Sequence, residues 1–285
     1  MSHHPRVSFN FHAEGHAFSA ELQRPVAQHI DALAATSLPT IGGHGVAHRE
    51  NFRAPGFVAF EYAHTHVSGS FGQRIDDPNH AHAVKAQNPG DAQAEKGTII
   101  AVANTQATTS IEQFNLLDFI TARRITARLS SEHIVIQEPD GSLRQNEGHI
   151  IALGSAFDDL RIGGYEVKVK LRHKALLDAK THRDFVNVVA SEEEKQKISQ
   201  GKGGIYGCSL VEEIITDFPG VTEREKKRGV LHIPHFGTIV FAHVLSEEGT
   251  KTLTMLQILF GCPNEGSATT AQARTNGQTV PPIPT

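Results

Sequence analysis

The stretch Gly97-Thr-Ile-Ile-Ala-Val-Ala-Asn-Thr-Gln-Ala-Thr-Thr-Ser-Ile-Glu-Gln-Phe114 decides the fold. Successive side chains of a strand point to opposite faces. Ile99, Ala101, Ala103, Thr105, Ala107, Thr109 and Ile111 therefore share one side, and Ile100, Val102, Asn104, Gln106, Thr108 and Ser110 the other. This is a sheet face, small and threonine-rich. Phe57 to Phe71 alternates in the same way. A strand of about fifteen residues reaches roughly 50 Å, where five or six residues are usual, so the sheets are expected to be tall or strongly bent. No catalytic signature falls on either segment.

Working outward, strand-like stretches recur from Arg6 to Phe260, separated by turn chemistry. Pro139-Asp140-Gly141-Ser142 reads as a tight loop, and Gly163-Gly164 supplies the positive φ of a two-residue hairpin. Asp76 to Lys96 is polar and broken by proline, a long surface loop. The 285 residues are 39% hydrophobic, with no Trp, two Met and fifteen Phe, so the core must be built from Val, Ile, Leu, Ala and Phe, a set that suits strands. The expected fold is all-β, a large antiparallel β-sandwich with long strands and one short inserted helix.

Residues 1–262 are expected to form that single domain, with a charged insert at about 176–204. Within it Ser191 and Glu194 match a capping box and Gly201 takes the place of a C-terminal cap. Residues 263–285, rich in Gly, Thr, Ala, Asn and Pro, read as a low-complexity C-terminal tail. Such a segment needs a clamp to be ordered, and a neighbouring subunit is the natural one.

The net charge of −4 and pI near 6.5 lack the basic excess that binds phosphate backbones, so nucleic acid is not an expected partner. No run of eighteen apolar residues offers a transmembrane helix. Met1-Ser-His-His-Pro-Arg-Val has no apolar signal region, and its literal reading is cytoplasmic.

Three segments in order carry a family resemblance. Thr109-Ser-Ile-Glu-Gln-Phe-Asn-Leu-Leu-Asp-Phe-Ile-Thr-Ala-Arg-Arg-Ile-Thr-Ala-Arg-Leu129 resembles the core of the bacterial choice-of-anchor P domains. Gly154-Ser-Ala-Phe-Asp-Asp-Leu-Arg-Ile-Gly-Gly-Tyr-Glu-Val167 is similar to that family's hairpin. Val230-Leu-His-Ile-Pro-His-Phe-Gly-Thr-Ile-Val-Phe241, followed by Thr252-Leu-Thr-Met-Leu-Gln-Ile258, resembles its ending. The motifs are short and span roughly 15–262. The resemblance implies a β-rich module without catalytic activity, carried on proteins at the extracellular surface. The chain departs from it in having no signal or anchor segment and in its many charges and histidines.

Eighteen histidines are the compositional oddity. His64-Thr65-His66 has HxH spacing, and residues i and i+2 of a strand share a face, so His64 and His66 are the candidate ligands of a divalent metal. His80-Ala81-His82, His44 and His48 are further candidates, and solvated surface histidines are the blander account. Cys208 and Cys262 allow one disulfide or two buried thiols. His232 and His235 flank Pro234, where a general base needs a nucleophile opposite, and no GxSxG elbow is present. Gly201 to Gly207 fits no phosphate-loop spacing, and Asp158 and Asp159 fall on opposite strand faces.

No catalytic or cofactor-binding residue is assigned. The expected role is that of a noncatalytic structural or interaction protein, self-assembling or surface-associated, that contacts itself or another protein through its β surface and its tail. The alternative is a metal- or small-ligand-binding protein using the histidine-rich face.

Overall fold

The computed structural model describes residues 8–24, 27–73, 98–145, 149–172, 182–189, 205–247, 250–261 and 265–280. Over these the chain is all-β, with two antiparallel sheets packed on one another. Sheet I contains β1 (Ser8–Arg24), β2 (Gln28–Leu33), β3 (Thr36–Ser37), β13 (Tyr206–Ser209), β15 (Val230–Ile233), β16 (Gly237–Glu247), β17 (Thr250–Phe260) and β18 (Glu265–Val280). Its order is β13-β16-β17-β18-β1-β2, with β15 beside β16 and β3 beside β1. Sheet II contains β4 (Gly43–Ala54), β5 (Val58–Gln73), β6 (Thr98–Leu116), β7 (Ile120–Gln137), β11 (Arg161–Ile162), β12 (Tyr165–Leu171) and β14 (Val211–Thr216), in the order β14-β12-β11-β7-β6-β5-β4. The short β8 (Leu143–Gln145), β9 (His149–Ile151) and β10 (Ala156–Asp158) also pair with β7.

The alternation that decided the fold is present from Ala101 to Ile111, where Ala101, Ala103, Thr105, Ala107, Thr109 and Ile111 are buried; Ile99 departs from it, half-buried beside buried Ile100 where the register shifts. The small size of the buried Ala and Thr side chains sets the layer spacing. Cα atoms of β1 come within 8 Å of β5 and β6, and those of β18 within 8 Å of β6 and β7, nearer than the ~10 Å usual between packed sheets. At this waist two threonine hydroxyls form a chain of hydrogen bonds. Thr65 Oγ1 donates to Thr109 Oγ1 at 3.2 Å, and Thr109 Oγ1 donates across the layers to the carbonyl of Gln272 at 3.0 Å. Above and below, phenylalanines fill a wider space. Phe9 packs on Phe11 and Phe71 at one end, and Phe18, Phe57, Phe114 and Phe260 gather at the other.

Strands of 16 to 19 residues keep their faces covered by changing phase within the strand. In sheet II the inward positions run 63, 65, 67 on one side of Glu61 and 58, 60 on the other, and β6 and β7 switch at Gln113 and Arg123. The flanking pairs place these switch points at one level, since the ladders skip Asn51, Glu61, Gln113 and Arg123 in turn across four strands. Asn51 and Gln113 hold positive φ of 48° and 50°. Sheet I has the matching row Ala242, Met255, Ala271 and Ala17, with φ of 44° and 50° at Ala242 and Ala271. Phe18 and Phe114, each one residue beyond its row, touch at 6.0 Å between ring centroids, so both layers bend at the same level. Such irregularities bend a strand and increase its twist.

Of the segment 263–285 expected to be a tail, the described part is not tail-like. Residues 265–280 form β18, paired along its length with β1 on one side and β17 on the other. Its Ser, Thr, Ala and Gly composition resembles a linker, yet small side chains are what a central strand at the waist requires. The helix expected after Ser191 and the loop expected at Asp76 to Lys96 lie outside the described residues. Among the described residues the helices are α1 (His182–Val189) and α2 (Glu223–Arg228). The latter is capped by the reciprocal Thr222 and Glu225 pair and ended by Gly229 in the left-handed conformation, the same signal that pointed to Ser191. Gly163 and Gly164 make the expected hairpin turn with φ of 57° and 83°.

Candidate functional site

The outward face of sheet II is a broad polar surface laid out by the register of β4 to β7. His48 lies directly opposite His64, in a row continued by Ser110 and Thr126. The next row is Val46, His66, Thr108 and Arg128. His64 and His66 thus share one face as their spacing requires. The Tyr62 ring stacks between His48 and His64 at 6.5 and 6.3 Å. Burial, then the neighbouring imidazoles of His66 and His48, hold His64 below the ordinary histidine pKa. Among the described residues no three His, Cys, Asp or Glu side chains converge as a metal would need. His80 and His82 lie outside them.

β4 ends sheet II, with no strand on its outer side among the described residues. Beside it Ile41 is 90% exposed and Val46 is 54% exposed. The strand carries Arg49, Glu50 and Arg53, and its pairing is interrupted at Asn51.

The outward face of sheet I carries a cleft of about 510 Å³. Its floor is two rows of the register. Glu14, Arg274 and Thr252 are neighbours in one, and His16, Gln272 and Thr254 in the other. The connection from Ala32 through β3 flanks it, turning through Ala34 at φ 48°. Arg274 Nη1 donates to Glu14 Oε1 at 3.1 Å, with both side chains part-exposed. Arg274 Nε is buried without a hydrogen-bond partner among the described residues. His16 Nε2 lies 3.2 Å from Ser19 Oγ and 3.3 Å from Thr269 Oγ1. Burial lowers its pKa against the opposing pull of Glu14. Gln272 Nε2 donates to Thr254 Oγ1 at 3.2 Å.

The remaining candidates separate. His232 Nδ1 bonds Thr238 Oγ1 at 2.9 Å, while its backbone N–H donates to Glu225. His235 turns away at φ 62° and lines an aromatic cleft of about 590 Å³ with Leu117, Phe119, Phe218 and Phe236. Asp158 and Asp159 each face a different arginine, Arg123 and Arg161. Cys208 carries a free thiol, pushed by burial up to about 11, and Cys262 lies outside the described residues. One cluster gave no sequence signal. Buried Lys251 lies opposite Ser246, its Nζ 5.7 Å from the centre of the Phe185 ring, and Ser246 Oγ is 3.0 Å from His182 Nδ1. Helix α1 covers it.

A family model described as "Domain of unknown function (DUF8256)" matches residues 9–87 and 74–184, together more than half of the chain. No curated protein and no solved structure matches it.

Proposed function

We propose that this chain, which belongs to the family described as Domain of unknown function (DUF8256), is a noncatalytic interaction or structural module that self-assembles through its β surface. The observation that carries the reading is β4, a twelve-residue strand at the end of sheet II beside exposed Ile41 and Val46. A free edge offers a row of backbone donors and acceptors to a second strand, and the adjoining apolar groups add area that gains from being covered. The partner is a second copy or another protein that adds a strand there. β18, held in the centre of sheet I, takes no part. The resemblance to surface-borne choice-of-anchor P domains supports a role exerted at the surface of the molecule.

Sedimentation velocity over a wide concentration range tests this. The expected result is reversible association that Val46→Lys, a charge placed beside the edge, abolishes without altering the circular dichroism spectrum. A monomer at every concentration removes the self-assembly.

The cross-strand pair His48 and His64, with His66 one row away, favours a second reading, the binding of a divalent metal by imidazoles on the sheet II face. Zinc titration by calorimetry tests it, and heat unchanged by His64→Ala and His66→Ala excludes it.

A further inference from the structure

The sheet I cleft is built from groups that lie far apart in sequence. Glu14 and Arg274 are brought side by side only because β1 pairs with β18, and Thr252 joins them from β17. Three adjacent strands hold them, a more rigid support than loops provide. The polar inventory is balanced. Glu14 accepts hydrogen bonds, Arg274 donates them, and the Thr252 hydroxyl does both. The carbonyl oxygen of Gln272 also accepts, since its amide nitrogen is committed to Thr254. The two formal charges cancel, and His16 is biased toward its neutral form by burial.

A buried guanidinium N–H without a partner among the described residues, as at Arg274 Nε, is rare in a folded protein. This guanidinium belongs to a residue that lines the cleft. Ala32 and Ala35 leave the rim open, and among the described residues no Phe or Tyr lines the space.

An anion would meet the Glu14 carboxylate and a cation would meet Arg274. An apolar ligand would leave both unsolvated. A hydroxyl-rich neutral molecule satisfies both, because adjacent hydroxyls each donate and accept. The cleft volume falls in the range of small-molecule sites, ~300–1,000 Å³. We propose that this cleft binds a neutral polyhydroxylated ligand, a saccharide unit, with Arg274 donating to and Glu14 accepting from neighbouring hydroxyls. This goes beyond the assembly reading and does not rest on it.

The test is titration of the full chain, labelled with ¹⁵N, with methyl glycosides of the common hexoses and pentoses. Sodium phosphate and glycine serve as the anionic and zwitterionic controls. At least one glycoside is expected to shift the amides of residues 14–16, 35–37 and 272–274. Glu14→Gln is expected to weaken that binding by about tenfold or more, the scale of one hydrogen bond to a charged group. If Glu14→Gln perturbs the fold, Thr252→Val replaces it as the weakened variant. Shifts caused by phosphate or glycine but by no glycoside overturn the ligand class. Glycoside shifts mapping elsewhere, or none with any probe, overturn the site.

Discussion

Gly15 of β1 lies against Thr109 of β6 so closely that a Cβ added to the glycine would sit 2.6 Å from Thr109 Oγ1 and 2.8 Å from the carbonyl oxygen of Gln272. The hydroxyl it would strike is the one that bonds across the layers to that carbonyl. The spacing of the two sheets is thus set by a missing side chain as much as by those present.

Gly15→Ala is therefore expected to destabilise the protein by about 1–3 kcal/mol, the usual cost of overpacking a tight interior. Alanine is ordinarily the better strand residue, so the sign is diagnostic. Urea unfolding measures it, and an unchanged midpoint would show that the waist is looser than these distances say.

Deleting residues 265–280 is expected to abolish cooperative unfolding. A disordered tail would be dispensable, whereas β18 supplies the ladder partners of both β1 and β17 and buries Ala268, Ala271 and Ala273. Its loss leaves two long edges exposed in the middle of sheet I. Thermal denaturation followed by circular dichroism decides between the two.

Gln113→Val tests the row of phase changes. Valine at an ordinary exposed strand position is neutral or stabilising. At φ 50° its branched Cβ meets the backbone, and the expected loss is about 1–2 kcal/mol. Valine at Thr126, a regular strand position two residues beyond Arg124, is the control and is expected to show no such loss.

His16 makes stability depend on pH in a defined direction. Its pKa in the folded chain is below the ordinary value, chiefly through burial, so the unfolded chain binds the proton more readily. Stability is unaffected by this group above about pH 6.5, falls as pH drops below that value, and levels off beneath the folded pKa. His64 and His243 are shifted the same way. Replacing His16 with Gln should flatten the part of the slope that it contributes, as read from denaturation midpoints across the acid range. A slope identical in the variant would mean that His16 is solvated.

The sequence carried the strands well where inward positions differ from outward ones in chemistry, as from Ala101 to Ile111. Phase changes at Gln113 and Ala271 left no local mark, because a period of two read along one strand contains no information about its neighbours. Glu61 and Arg123 are polar residues like others on the outward face, so nothing in them marks a phase change. β18 was hidden by composition, since its small residues suit a linker and a tight waist equally. α2 was marked, with Thr222, Glu225 and Gly229 in the right places, but the run of charge between them drew no apolar periodicity. Of the sites, the shared face of His64 and His66 follows from spacing alone. The partner His48 depends on strand register, and the cleft joins Glu14 to Arg274, which only the completed sheet brings together.

The pairing of Ser8 with Val280 also fixes a timetable. As the chain leaves the ribosome, β4 to β7 can zip into successive hairpins from neighbouring segments, but β1 must wait for some 240 intervening residues before its principal partner is made. Contacts so distant along the chain close slowly. During that interval β1, seventeen residues long, has only the short β2 and β3 along one side, and its other edge is open to mispairing unless its charged and histidine side chains, or a chaperone, keep it single.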